Sequence, residues 1–269
     1  MKPIVSVIIT TFERPRYLAE AIESVLSQDF IDLELIIVND ASADKKTEEI
    51  ILFYKDQDQR IKYIKNERNL NSVRSLNIGL KLASGKYIAI LDDDDTWLYK
   101  GKLKEQVNFL EQNTEYVLIG TNIIAINSET GLEISRSNYT LDDDRIRKTI
   151  LLNNPFAHSS VLYRKETALS VGGYDEELKR GKDYDLWLKL GTKGKFRVFK
   201  DYWVNYRIHD SHDFSSIELK KTDSIAKLIV IKKYSGKYKN SFVAYLVESM
   251  RFFVFGSIIF VRNFFHRKV

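Results

Sequence analysis

The stretch Ser84-Gly85-Lys86-Tyr87-Ile88-Ala89-Ile90-Leu91-Asp92-Asp93-Asp94-Asp95 runs from a helix-stop signal through an apolar segment into four consecutive carboxylates. A short apolar run bounded in this way reads as a strand buried on both faces, as in a parallel sheet. Four adjacent like charges repel one another, and a strand end brings at least two of them to one point. A divalent cation removes that cost. Hard carboxylate oxygens in a chain with no cysteine favour Mg2+ or Mn2+ over zinc, and such an ion keeps positions open for phosphate oxygens. The competing reading is a solvated acidic turn that caps a helix over Leu98 to Glu111. A cap accounts for one aspartate, Asp95, and leaves three.

Similar apolar runs lie upstream, at Ile4 to Thr10, Leu33 to Val38 and Ile61 to Lys65. Between them Leu18, Ala21, Ile22, Val25 and Leu26 keep helical spacing, as do Val73, Leu76, Leu80 and Ala83. Pro15 sits where a first helical turn tolerates it, and Ser84-Gly85 closes the third helix. Alternation of strand and helix at these intervals predicts an α/β fold: a Rossmann-like, mostly parallel sheet flanked by helices on both faces. Ligands of such sheets bind beyond the carboxyl ends of the strands. The residues there are Thr10 to Arg14, Asn39 to Ser42, and the four aspartates, so polar and acidic groups collect along one edge.

Of 269 residues, 44% are apolar and 29% charged, which is the balance of an ordinary globular protein and excludes wholesale disorder. Without cysteine there is no disulfide framework and no thiolate metal site. Met1-Lys2-Pro3 leads straight into the first strand, so no signal peptide is expected. The net charge of +5 is unevenly spread. Residues 217–269 hold 11 Lys and Arg against 3 Asp and Glu, whereas the first 216 residues are mildly acidic. An anionic partner is therefore expected for the tail alone, and with no RNA- or DNA-binding motif present that partner is not nucleic acid.

The segments Val5 to Pro15, Glu34 to Ser42 and Ser84 to Asp95 resemble family 2 glycosyltransferases of the GT-A fold. The resemblance continues, in the family's order, through His158-Ser159-Ser160-Val161-Leu162, Val171-Gly172-Gly173-Tyr174-Asp175-Glu176 and Asp183-Tyr184-Asp185-Leu186-Trp187-Leu188, and covers about residues 4–210. It implies an inverting transfer from a nucleoside diphosphate sugar, expected to be a UDP-sugar, to a glycan or lipid-linked acceptor hydroxyl in cell-surface polysaccharide or glycoconjugate synthesis. By resemblance Asp40 hydrogen-bonds the base, with Thr10, Phe12 and Glu13 around it. Asp92-Asp93-Asp94 stands as the Asp-x-Asp motif: Asp92 and Asp93 toward ribose and donor sugar, Asp94 on a Mn2+ or Mg2+ ion. His209 falls where relatives place a histidine near the metal, and Asp183 matches the catalytic base. Three positions depart from the pattern. Glu13 and Asn39 stand where Asn and Asp are usual, and Lys182 replaces an acidic residue before the base. Arg74 is the candidate for the basic residue before the third helix, at an inexact spacing.

Each assignment has a plainer counterpart. Asp183 can cap the helix that carries Leu186, Leu188 and Leu190. His158 and His209 can be satisfied structural histidines, Trp187 and Trp203 read as core, and Trp97 stays open. Gly172-Gly173 reads as a turn with positive φ. A sugar nucleotidyltransferase would carry a glycine-rich loop after the first strand, which Thr10 to Arg14 lacks; a dehydrogenase would carry G-x-G-x-x-G there. A non-catalytic nucleotide-sugar-binding protein is the remaining alternative, set against an intact aspartate run and Asp183.

These readings divide the chain into a catalytic domain at 1–216, with a nucleotide half (1–97) and an acceptor half (98–216), and a basic, aromatic-rich helical extension at 217–269. The run Phe252 to Val261 is too short to span a bilayer. Its aromatics, with Lys220, Lys221, Lys232, Lys233, Lys237, Lys239, Arg262, Arg267 and Lys268, suit an anionic surface. The expectation is a cytoplasmic enzyme attached peripherally to the inner membrane face. The alternative for the tail is packing on the catalytic domain or on the second copy of a homodimer.

Overall fold

The computed structural model describes residues 2–139, 141–178, 180–209 and 217–266. Strands β1 (Val5–Thr11), β2 (Leu33–Asn39), β3 (Ile61–Lys65) and β4 (Tyr87–Ile90) alternate with helices α1 (Pro15–Leu26), α2 (Lys45–Gln57) and α3 (Ser72–Leu82), as the sequence pattern predicts. They pair in parallel, in the order β3-β2-β1-β4. Then follow β5 (Thr96–Trp97), α4 (Lys102–Gln112), β6 (Tyr116–Asn127), β7 (Glu133–Arg136), α5 (Asp143–Thr149), β8 (Leu162–Arg164), α6 (Lys165–Ser170), α7 (Lys182–Gly191) and β9 (Lys195–Ile208). The sheet continues from β4 through β8, β6 and β9 to β5, with β7 on the side of β6. Two helices close the described chain, α8 (Ile217–Lys233) and α9 (Ser241–His266).

Alternate residues of the central strands feed two cores. Ile8, Ile36, Ile88 and Ile90 pack with α3, α7 and α8, whereas Val7, Ile9, Leu35, Ile37 and Ala89 pack with α1 and α4. Burial on both faces is what the unbroken apolar runs encode. Pro15 opens α1, as expected. Gly172 and Gly173 both take positive φ, also as expected.

Gly85 has a different role from the one the sequence suggests. Helix α3 ends at Leu82, with Ala83 extended after it, and Gly85 does not cap it. A Cβ at Gly85 would lie 2.6 Å from the Ser6 amide nitrogen. The glycine lets the turn before β4 press against β1, where its amide donates to Ser6 Oγ at 2.8 Å. Glu34 completes this corner from β2. Its Oε1 accepts from Ser6 Oγ at 2.5 Å and from the Ser84 amide at 2.6 Å, and its Oε2 pairs with Lys62 Nζ at 2.5 Å. One nearly buried carboxylate thus ties β1, β2, β3 and the entry to β4 at the edge of the sheet opposite the aspartates.

Burial opposes ionisation of Glu34, but Lys62, Ser6 and the Ser84 amide together hold its carboxyl below the usual range. A depressed acid stabilises the fold above its unfolded-state pKa, and that contribution disappears as pH falls through the folded value. Glu34→Ala is expected to cost about 2–4 kcal/mol at pH 7, since it strands a buried amide and hydroxyl. It should also flatten the loss of stability below about pH 4.5. Urea unfolding of both proteins at pH 3.5 and 7 checks this; equal midpoints at pH 7 would remove Glu34 from the account.

Candidate active site

A cleft of about 700 Å3 opens along the carboxyl edge of the parallel strands. Thr10, Thr11, Phe12 and Arg14 reach it from the end of β1, Asp40 from β2, Asn69, Asn71 and Ser72 from the approach to α3, and Asp92, Asp93 and Asp94 from β4. Lys182 enters from α7, and Tyr206, Arg207, Ile208 and His209 from the end of β9. Four described non-glycine residues have positive φ: Asn240, before α9, at 59°, and Glu13, Ala41 and Asn71 at 55°, 64° and 76°. The first stands apart from the cleft. Glu13, Ala41 and Asn71 stand on loops at this edge, where strained backbone concentrates around sites. Asn71 repays part of its strain by accepting from the Val73 and Arg74 amides at the start of α3.

Asp40 is fixed before any ligand arrives. Its Oδ1 accepts from Asn66 Nδ2 at 2.7 Å and from the Leu70 amide at 2.8 Å, so Oδ2 is the oxygen left for the cleft. Phe12 is 44% exposed beside it in the lining. Glu13 does not enter the cleft. It holds the loop after β2 instead, accepting from the Ala43 amide at 2.6 Å and the Asp44 amide at 3.3 Å.

The four aspartates have four different environments. Asp92 receives His158 Nδ1 at 2.9 Å, and His158 Nε2 meets Tyr174 Oη at 3.0 Å. Burial disfavours the Asp92 charge, yet His158, Lys182 and Arg14 outweigh it and hold the carboxyl at about 2. Although it is surrounded by protein, 37% of the Asp92 side chain remains open. Asp93 is pushed up to about 7 by burial and by the charge of Asp94, against the pull of Arg14. Asp95 is fully buried and raised well above the usual carboxylate range, by burial and then by Asp92 and Asp94. It accepts from Ser159 Oγ at 2.5 Å and from the Arg207 amide at 2.8 Å, which binds the end of β4 to the end of β9. Asp94 Oδ2 takes Arg14 Nη1 at 2.8 Å and His209 Nε2 at 2.9 Å.

The helix-cap reading of the run fails, because α4 begins at Lys102 behind Gly101 with no side-chain cap. Ser159 supplies a reason for the segment around His158: its Oγ accepts from the Asp92 amide at 3.0 Å and its carbonyl accepts from Trp97 Nε1 at 2.8 Å. Trp97, left open by the sequence, is buried there, and Trp187 is core as expected. Trp203 is half-buried against Tyr99 and Phe199.

Three of the sequence-derived candidates, Glu13, Arg74 and Asp183, are not among the residues that line the cleft. Arg74 does not line the cleft; its guanidinium pairs with Glu176 at 3.2 Å. The cation on the aspartates is Arg14, between β1 and α1, whereas the family pattern points to the third helix. Asp183 sits in the first turn of α7 behind Lys182, and caps nothing: Gly181 holds the cap position at φ 70°, with no side-chain bond. Its charge joins burial and the aspartates in raising Tyr206.

The Asp94 carboxylate with the His209 imidazole against it, and the Asp93 carboxylate adjacent, are a donor set that suits Mn2+, or Mg2+ through the carboxylates. Among the described residues no three such groups gather closely enough to hold an ion alone. An ion here would therefore draw its remaining ligands from phosphate and water.

The family model for glycosyl transferase family 2 matches residues 6–171, which takes in β1, β2, β4 and the aspartates. The chain belongs to that family. It is a glycosyltransferase, 36% identical over 219 residues to an uncharacterized glycosyltransferase of Methanocaldococcus jannaschii, a match covering 80% of this chain and 74% of the relative. Its fold is GT-A. The S. aureus TarS 1-349 structure in complex with UDP-GlcNAc superposes with a TM-score of 0.68 at 20% identity, over 95% of this chain and 71% of that one. The mannosyltransferase PcManGT from Pyrobaculum calidifontis, in complex with GDP-Man and Mn2+, also gives 0.68, at 16% identity over 93% and 69%.

The glycosyltransferase should show its carboxylate crowding as a pH dependence. Asp93 has a folded pKa of about 7 against 3.8 unfolded, so its protonated form is the stabilising one. That contribution is complete below about 3.8 and is lost as pH rises through 7. In EDTA, Asp93→Asn should gain stability over the wild type progressively between pH 5 and 8, reaching roughly 2–4 kcal/mol. Urea midpoints across that range measure it, and parallel curves for the two proteins would contradict the assignment.

Proposed function

We propose that this enzyme binds a nucleoside diphosphate sugar, a UDP-sugar in the first instance, and transfers its sugar with inversion to the hydroxyl of a glycan or lipid-linked acceptor. The observation that carries this reading is the convergence of Asp40, Asp92, Asp93 and Asp94 on one cleft, with Arg14 and His209 already on Asp94. The complexes of TarS with UDP-GlcNAc and of PcManGT with GDP-Man and Mn2+ support a nucleotide-sugar donor and a divalent metal. A role in cell-surface polysaccharide or glycoconjugate synthesis follows from such an acceptor.

Each residue then has a task. Asp40, immobilised by Asn66 and Leu70, offers its second oxygen to a base N–H, with Thr10 and Phe12 flanking the ring. Asp92, kept ionised by His158, accepts hydroxyls of ribose or donor sugar, with Asp93 beside it. Arg14 and Arg207 face the diphosphate and offset the charge that grows as it leaves. A Mn2+ or Mg2+ ion on Asp94 and His209 would supply Lewis-acid stabilisation of the same charge. Asp183 takes the acceptor proton as the acceptor oxygen bonds to the anomeric carbon and the bond to the phosphate oxygen breaks. One displacement completes transfer, so no covalent enzyme intermediate forms.

Calorimetric titration of UDP and GDP, with Mn2+ and with EDTA, tests donor binding and metal together. Asp94→Ala is expected to weaken binding in Mn2+ by at least about tenfold. Asp183→Asn should leave affinity near the wild-type value while transfer falls at least about a hundredfold. Undiminished binding in EDTA and in Asp94→Ala would remove the metal from the mechanism, and unchanged turnover in Asp183→Asn would remove the base.

The extension from 217 shares the core of the catalytic body. Val230, Ile231, Tyr234, Tyr238 and Ala244 join the cluster of α3 and α7, and Lys233 is paired with Asp175 and Asp185 at 2.8 Å each. Lys233 is thus not available to headgroups. The boundary at 216 and residues Arg267 and Lys268 lie outside the described residues, as does the side chain of Arg262. No helix among the described residues is long and apolar enough to cross a membrane. One face of α9 nevertheless leaves Phe242, Leu246, Met250, Phe253 and Val254 exposed, and Lys237 and Lys239 precede it. Peripheral attachment through this face, at the cytoplasmic surface of the membrane, is the reading we adopt. Wild type should sediment with anionic vesicles at low salt, and Leu246→Asp combined with Phe253→Asp should not. Wild type that stays in the supernatant would refute attachment.

A further inference from the structure

The cations of the cleft are matched to carboxylates with one exception. Arg14 lies on Asp93 and Asp94, His209 on Asp94, and Arg207 on Glu20 and the Asp94 carbonyl. Lys182 lines the same cleft, half-buried, and among the described residues it makes no ion pair and no hydrogen bond. Asp92 feels its charge, but no described carboxylate is in contact with it. Asp92 is taken by His158, and Asp183 beside it forms no ion pair with it. Arg180, two residues back, is paired with Asp223 of α8 and so is turned to structural use.

The place of Lys182 matters as much as its lack of a partner. It is the first residue of α7, next to the candidate base, and α7 has no side-chain cap to offset the positive end of its dipole. The diphosphate end of the cleft already has Arg14, Arg207 and His209. A sugar or acceptor that covers Lys182 removes it from water, and a neutral ligand leaves that ammonium with only the field of Asp92 in place of a contact. An anionic group restores the lost solvation, so the same side chain attracts one class of substrate and penalises the other.

On the reading that the cleft binds a nucleotide sugar, we propose that Lys182 selects a substrate carrying a phosphate or carboxylate beside the reacting centre. Two sources offer that chemistry: a uronic acid as the donor sugar, or a phosphorylated acceptor. Isothermal titration with Mg2+ separates them. The donor arm compares UDP-glucuronate with UDP-glucose and GDP-mannuronate with GDP-mannose. The acceptor arm, run with UDP or GDP bound, compares glucose 1-phosphate with methyl glucoside. In one arm the charged member should bind at least about tenfold more tightly than the neutral one, the scale of one charge-assisted contact. That ratio should fall to about one in Lys182→Gln and invert in Lys182→Glu. Ratios near one in both arms of the wild type, or a preference that survives Lys182→Gln, overturn the proposal. So does a Lys182→Gln protein that loses affinity for UDP or GDP itself, which would put the lysine on the diphosphate. Failure of either nucleotide to bind the wild type at all would instead overturn the nucleotide-sugar reading beneath it.

Discussion

Mutual repulsion among the carboxylates at the end of β4 is the constraint around which the rest of the molecule is arranged. Unit charges a few ångströms apart in a partly desolvated cleft oppose each other by several kcal/mol, more than any single surface contact returns. The chain meets this cost with a different device for each residue. Asp92 is given an imidazole, Asp93 is raised toward neutrality, Asp94 takes a guanidinium and an imidazole on one oxygen, and Asp95 is buried under a serine and a backbone amide. These partners come from β1, from the segment before β8, and from β9. The acidic run therefore also dictates how distant parts of the chain meet. Pairing with β6 and β5 brings β9 to this edge, and the Arg207 amide on Asp95 ties its end to the end of β4.

The opposite edge uses the same economy with a single charge. Glu34 replaces three separate turn devices with one carboxylate, and Gly85 removes the Cβ that would keep the turn from reaching it. The two edges share the strands between them. Rigidity at the Glu34 end therefore fixes the direction in which the strand ends present Thr10, Asp40 and Asp92.

The parallel half of the fold was legible because its signals are local: strand burial on two faces, helical spacing, and a proline at a helix start. Asp40, Asp92, Asp93, Asp94 and His209 were legible too, and all of them line the cleft. What escaped depends on contacts across long separations. Arg14 is an arginine after a strand until β4 brings Asp94 to it, and Arg74 follows a family spacing until Glu176, from a distant turn, claims it. Lys182 was visible as a departure from a pattern, but its lack of a partner is a property of the folded cleft. The tail was legible only in part, because its lysines count alike in a sequence, whereas Lys233 belongs to Asp185.

That last pairing sets the order in which the enzyme can be completed during synthesis. Asp185 lies inside the core, wholly shielded from solvent, two positions from the candidate base. Its partners include Lys233, at the end of α8, and Tyr234 just after it, translated nearly fifty residues later. Until those residues leave the ribosome, α7 can dock only by burying a carboxylate with Lys189 as its sole counter-charge, or must remain undocked. At ribosomal rates of about 5–20 residues per second that interval lasts several seconds. Over that time the helix that carries Lys182 and Asp183 waits for the charge that completes its burial.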